Sequence, residues 1–132
     1  MELPTNGRRI LLIDDEDLVR EMLARELEDR GHEVIQASDG ATALALLDAG
    51  EAVDALVSDL YMPRMNGQAL IAEAQRRRPS LAAILLTGHA GGVAEVVSRG
   101  NGGGGYTLLR NPVSSDELAR RLAELLEAAR DG

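Results

Sequence analysis

The stretch that most restricts the fold is Val53 to Gly67, VDALVSDLYMPRMNG. Its first part, Asp54 to Ser58, is a short apolar run with no helical period. Such a run suits a strand buried on both faces, as in a parallel sheet. It stops at Asp59, and Leu60-Tyr61-Met62-Pro63 followed by Asn66-Gly67 turns the chain. A carboxylate therefore stands where a buried strand gives way to a loop. In open α/β sheets ligands bind at that end of the strands. An Asp that simply caps a loop would satisfy the same pattern.

Similar runs recur along the chain. Arg8 to Ile13 (RRILLI) predicts a buried strand ending in Asp14-Asp15-Glu16-Asp17. Asp15 can be read as an N-cap with the other acids in a first helical turn, where the helix dipole favours them. That reading fits Asp14 poorly, since Asp14 still belongs to the strand end. Leu18, Met22, Leu23 and Leu27 fall at helical spacing, and Gly31 ends that helix. His32 to Ala37 is a weaker strand. Ser38-Asp39-Gly40 opens a second helix, closed by Gly50, and Asn66-Gly67 opens a third that Pro79 stops. Leu81 to Leu86 is again a buried strand, ending at Thr87-Gly88-His89. Between Gly88 and Gly105 lie eight of the fourteen glycines, and only Val93 to Arg99 could hold a short helix there. Tyr106 to Leu109 is a last strand, followed by Arg110-Asn111-Pro112. Ser114 to Glu117 matches a capping box before an amphipathic helix with Leu118, Leu122, Leu125 and Leu126 on one side.

Strand and helix thus alternate five times, which implies a doubly wound five-stranded parallel sheet, helices on both faces and right-handed crossovers. The expected division is a leader over residues 1–7 and one α/β domain over 8–130. At 132 residues the chain has room for a single core. With no cysteine there is no disulfide framework or thiolate metal site. The N-terminus has no apolar signal core and no run reaches a membrane span, so a cytoplasmic protein is expected. A net charge of −8 argues against direct nucleic-acid binding. Arg76-Arg77-Arg78 is the one basic run, and it is read as the cationic end of a helix rather than as a phosphate patch. All fourteen basic residues are Arg, so any mechanism that requires a lysine is excluded.

Parallel strands share one carboxyl edge. If strands one, three, four and five are neighbours, Asp14, Asp15, Asp59, Thr87 and the Asn111-Pro112 turn converge on one crevice. Carboxylates held together repel, and one is forced to protonate unless a cation sits among them. An all-oxygen site open to water and phosphate suits Mg²⁺ better than Zn²⁺. Carboxylates, Mg²⁺ and a nearby hydroxyl are equipment for phosphoryl chemistry with Asp as nucleophile.

In order and spacing, ILLIDDED, VSDLYMPRMNG, ILLTGHA and LLRNPVSSDEL resemble the receiver domain of bacterial two-component response regulators, from about Arg8 to Ala128. The resemblance implies a flavodoxin-like (βα)5 fold. It implies that Asp59 accepts a phosphoryl group from a histidine kinase or histidine phosphotransfer domain, so that the chain takes part in its own phosphorylation without being a classical enzyme. By the same match Asp15 would ligate Mg²⁺ directly, Asp14 would help through water, and Asp59 and the Tyr61 main-chain carbonyl would complete the set. Thr87 matches the switch hydroxyl, and Gly88, Asn111 and Pro112 fall at the phosphoryl pocket. Tyr61 and His89, each two residues beyond a site residue, would govern water access. A monomer or weak dimer is expected.

The sequence departs from the family at three places. Asn111 stands where the family has a phosphate-binding lysine, and Arg110 is one residue off register on an alternating strand. Leu108 stands where a switch aromatic is usual, with Tyr106 two residues away on the same side. The glycine-rich segment takes much of the fourth helix. Slower phosphoryl transfer than in a lysine-bearing receiver is expected, and a pseudo-receiver that docks partners regardless of phosphorylation is the alternative. A phosphatase with an Asp nucleophile fits less well, because Tyr61 occupies the position of its second Asp.

Overall fold

The computed structural model describes residues 8–87, 95–97, 106–110 and 114–131. The five strands expected from the sequence are β1 (Arg9–Ile13), β2 (Glu33–Ala37), β3 (Ala55–Asp59), β4 (Ala82–Thr87) and, as the sixth strand in chain order, β6 (Tyr106–Arg110). They pair parallel in the order β2-β1-β3-β4-β6. The helices are α1 (Asp17–Asp29), α2 (Gly40–Asp48), α3 (Gly67–Arg77) and α4 (Ser115–Asp131).

One element differs from expectation. Within the stretch read as a short helix, Glu95–Val97 forms β5, antiparallel to β6 at the sheet edge. β-Branched Val96 and Val97 favour a pleated edge, and a helix of this length flanked by glycines has too few bonds to offset its nucleation. The described residues thus hold four helices, not five. The expected leader over 1–7 lies outside them.

Alternation along the strands divides the core in two. Ile10, Leu12, Val57, Ile84, Leu86 and Leu109 face α1 and α4, where Leu23, Leu27, Leu118, Leu122 and Leu126 complete one layer. Leu11, Ile13, Leu56, Leu85 and Tyr106 face α2 and α3, packing against Ala43, Leu47, Leu70, Ile71 and Ala74. Burying one such leucine is worth roughly 1.5–3 kcal/mol, which is why the strands read as unbroken apolar runs.

The helix ends hold to local chemistry. Asp39 and Asn66 accept N-cap bonds from the Thr42 and Ala69 amides at 2.7 and 2.8 Å. Ser114 Oγ accepts from the Glu117 amide at 3.0 Å. Helices α1 and α2 end in paired bonds, Gly31 N to Glu28 O with His32 N to Leu27 O, and Gly50 N to Leu47 O with Glu51 N to Leu46 O. These are Schellman motifs, and both glycines take the positive φ that the motif requires. The N-cap of α1 is Glu16, without a side-chain cap bond, so the reading of Asp15 as a cap is corrected. Asp14 Oδ1 accepts from the Glu16 amide at 2.9 Å instead, which leaves Asp15 outside the helix and exposed.

Candidate functional site

The strand order reverses direction between β1 and β3, and the crevice at such a switch point is where an open sheet binds ligands. Ile13 pairs with Ser58, so the next residues, Asp14 and Asp59, emerge side by side. Asp15 follows on the loop into α1. Each of Asp14, Asp15 and Asp59 offers a carboxylate oxygen, and these atoms all lie within 4.8 Å of one another. Asp14 is buried, Asp59 half-buried and Asp15 exposed, so the cluster opens to solvent on one side.

Its electrostatics are those of crowded anions. Burial, then the charges of Asp14, Asp15 and Glu16, push the Asp59 carboxyl up to about 6. Burial also raises Asp14, against the bond from the Glu16 amide. Such a set is costly as three bare charges and fits an oxygen-seeking divalent cation, which would offset the repulsion.

Thr87 ends β4 and is buried. Asp59 pairs with Leu86, which places Thr87 one residue beyond it on the neighbouring strand. Tyr61, two residues past Asp59, is 54% exposed at the rim. Tyr106 lies two residues up β6 from Leu108. It is buried on the α3 side, and its hydroxyl accepts from Gln68 Nε2 at 2.8 Å. Leu108 is partly buried in the same layer. Gly88, His89, Asn111 and Pro112 lie outside the described residues.

Three features escaped sequence reasoning. Gly67 is more than a helix start: a Cβ there would lie 2.3 Å from the Asp59 carbonyl oxygen and 2.6 Å from Leu85 Cδ1. Its amide donates to the Leu60 carbonyl at 2.9 Å, binding the α3 start to the end of β3. Arg64 has φ of 73°, and across it the Met65 amide reaches the Pro63 carbonyl at 2.7 Å, a tight turn within the loop after Asp59. Arg20, which reads as an ordinary helix-surface partner for Asp17, turns its guanidinium onto the Asp14 carbonyl at 2.6 Å. Only the Asn66-Gly67 pair carried a sequence signal, and it pointed to a turn rather than to a close approach.

The arginine run is structural, as expected. Arg76 pairs with Glu73, Arg77 with Asp48 and Glu73, and Arg78 donates to the Glu51 and Leu47 carbonyls at 2.5 and 2.8 Å. A pocket of about 230 Å³ lined by Arg8, Asp54, Arg78 and Leu126 lies at the opposite, amino end of the strands.

A doubly wound sheet with an acidic cluster at its switch point defines a class of phosphate-handling or cation-handling α/β domains. Comparison with known proteins narrows it. The family model for the response regulator receiver domain matches residues 10–123. The transcriptional regulatory protein GlrR of Escherichia coli K12 is 35% identical over 118 residues, 89% of this chain and 26% of that protein. The sensor kinase CckA of Brucella abortus is 34% identical over 120 residues, 89% of this chain and 12% of that one. Among solved structures, the receiver domain of the hybrid histidine kinase CckA matches with 32% identity and a TM-score of 0.73, covering 89% of this chain and 98% of that one. A CheY-like receiver from Methanospirillum hungatei matches with 25% identity and a TM-score of 0.80, covering 96% and 98%.

The chain belongs to the response regulator receiver domain family of two-component systems, a family of signalling domains in which phosphorylation and phosphorelay are general features. It spans about a quarter or less of the length of GlrR and of the sensor kinase CckA. Receiver domains bind Mg²⁺ through acidic residues, and the Asp14–Asp15–Asp59 cluster could hold such an ion. Among the described residues no helix is long and apolar enough to cross a membrane.

Proposed function

We propose that Asp59 is the phosphoacceptor of a phosphorelay, acting with Mg²⁺ held by Asp14, Asp15, Asp59 and the Tyr61 carbonyl. The observation that carries this reading is the convergence of three carboxylates within 4.8 Å at the switch point. An Asp59 oxygen attacks the phosphorus of a phosphohistidine on a histidine kinase or histidine phosphotransfer domain. The P–N bond breaks, the acyl phosphate forms, and the histidine nitrogen leaves with its electron pair and takes up a proton. Bound there, Mg²⁺ would neutralise charge on the transferring oxygens. The Thr87 hydroxyl then donates to the phosphoryl group and shifts the β4 end, with Tyr106 or Leu108 following on β6. By the family match alone, Gly88, Asn111 and Pro112 are assigned to the phosphoryl pocket. Exposed Leu18 and Met22 on α1 give a partner an apolar landing beside the acids. The reading covers one receiver unit over residues 8–130, cytoplasmic, a monomer or weak dimer, with no direct nucleic-acid contact at a net charge of −8.

Asn111 in the lysine position favours a second reading, a docking module indifferent to phosphorylation. One experiment separates the two. The protein is incubated with acetyl phosphate with and without Mg²⁺, and phosphoryl groups are counted by intact mass on wild type and Asp59→Asn. One Mg²⁺-dependent group, absent from the variant, supports the phosphoacceptor. No group on wild type, with Mg²⁺ binding established separately, supports the docking module.

A further inference from the structure

We infer that Arg20 is a positioning residue for the cation site, an inference that rests on the metal-assisted reading above. All three guanidinium nitrogens are engaged. Nη1 donates to the main-chain carbonyl of Asp14 at 2.6 Å, Nε donates to Gln36 Oε1 at 3.0 Å, and Nη2 pairs with Asp17 Oδ1 at 2.9 Å. The side chain is only 11% exposed although it starts from the first turn of α1. One planar fork therefore ties the end of β1 to β2 and to the start of α1.

The contact with Asp14 is to its backbone, and that decides its effect. The Asp14 amide already donates to the Ala37 carbonyl at 3.2 Å, and its carboxylate accepts from the Glu16 amide at 2.9 Å. Arg20 supplies the remaining restraint, on the oxygen of the peptide that joins Asp14 to Asp15. Asp15 is exposed. Its placement depends on that peptide plane, which sets the direction in which its side chain leaves the backbone. A lysine has one nitrogen and cannot make three planar contacts at once, so the role belongs to the fork and not to the charge. Charge acts in the opposite sense, because a cation this close to the cluster repels a second cation. The two contributions can thus be separated by substitution. Residues that orient metal ligands from behind commonly change affinity by ~10-fold or more when altered.

The test measures Mn²⁺ affinity by electron paramagnetic resonance, and the rate of acetyl phosphate labelling against Mg²⁺ concentration. Arg20→Lys keeps the charge and loses the fork. It is expected to weaken Mn²⁺ binding by about 10-fold, and to slow labelling at limiting Mg²⁺ with recovery at saturating Mg²⁺. Gln36→Ala removes one anchor at an exposed position without touching charge, and a smaller loss of about 2–3-fold is expected. Arg77→Lys, on α3 and bonded among the described residues to Asp48 and Glu73, is the control with unchanged affinity. Wild-type affinity in both Arg20→Lys and Gln36→Ala overturns the inference. If Arg20→Lys does not fold, Gln36→Ala decides alone. Wild type that binds no Mn²⁺ at millimolar concentration overturns the cation site itself, and Arg20's role with it. That outcome is distinct from equal affinities, which overturn Arg20's role only.

Discussion

Gly67 stands against the main-chain carbonyl of Asp59 so closely that a single added Cβ would lie 2.3 Å from that oxygen. Both neighbours are fixed, since Asp59 is paired in β3 and Gly67 opens α3 with its amide on the Leu60 carbonyl. A methyl group cannot be absorbed by rotating a side chain, so the helix start or the strand end must move. Overpacking of this kind costs about 1–3 kcal/mol. Gly67→Ala is expected to lower the urea midpoint accordingly, and to reduce acetyl phosphate labelling even where the variant is fully folded. Unchanged labelling in folded Gly67→Ala would show that this contact does not orient Asp59.

The Asp59 carboxyl, raised to about 6 by burial and neighbouring acids, makes stability depend on pH in a definite direction. Unfolded, the group releases its proton near the ordinary value of 3.8. Between these values the folded state holds the proton and the unfolded state does not, so the metal-free protein loses stability as pH rises from about 4 through 6. The full displacement would be worth about 3 kcal/mol. Solvent around a part-exposed group reduces this to ~1–2 kcal/mol. Asp59→Asn should therefore be stabilised relative to wild type at pH 7 and much less so at pH 4.5, in urea titrations with EDTA. Saturating Mg²⁺ should narrow the gap at pH 7. A gap that is the same at both pH values would contradict the crowding of charge.

Much of this was legible because the decisive residues are tied to main-chain periodicity. Three buried strands announce themselves as apolar runs, and the acids at their ends follow from parallel pairing. Parallel pairing brings Asp14, Asp15 and Asp59 together provided that β1 and β3 are neighbours, a condition that the strand order meets. What stayed hidden depends on contacts between segments distant in sequence. Arg20 spaced three from Asp17 looks like any surface pair, and nothing local says that its fork reaches Gln36 and the Asp14 carbonyl. Val93 to Arg99 could hold a short helix by its sequence, yet Glu95–Val97 is a strand, because apolar spacing in a seven-residue window does not separate helix from edge strand.

In the proposed site, Asn111 stands where the resemblance to the family implies a phosphate-binding lysine. A charge-assisted hydrogen bond contributes ~1.5–3 kcal/mol and a neutral one ~0.5–1.5 kcal/mol. The difference, about 1–1.5 kcal/mol, corresponds to roughly 5–10-fold in rate. Asn111→Lys is expected to speed Mg²⁺-dependent labelling of Asp59 by that factor. No gain would mean that Asn111 does not face the transferring group.

Tyr61 is 54% exposed two residues beyond Asp59, and the role proposed for its ring is to shield an acyl phosphate from water. Tyr61→Ala is expected to shorten the lifetime of the phosphorylated protein several-fold, read by intact mass after removing the phosphodonor. An unchanged lifetime would sink the shielding role and shift attention to His89.

The Tyr106 hydroxyl accepts from Gln68 Nε2 at 2.8 Å and joins β6 to the first turn of α3. Leu108 has no hydroxyl, so among the two candidates for a moving residue only Tyr106 carries a bond that motion must break. A neutral hydrogen bond of this kind is worth about 1 kcal/mol. Tyr106→Phe should lower the melting temperature of the unphosphorylated protein by ~2–4 °C. If phosphorylation drives the ring out of its seat, the bond is already lost in the phosphorylated state. Wild type and Tyr106→Phe should then melt together after labelling with acetyl phosphate. The thermodynamic cycle also requires the variant to be labelled to a higher fraction at equilibrium, since its resting state has been weakened and its switched state has not. If the same melting gap persists after labelling, Tyr106 stays seated on α3 throughout. In that case the response to phosphorylation is carried by Thr87 and the end of β4 without an aromatic swing.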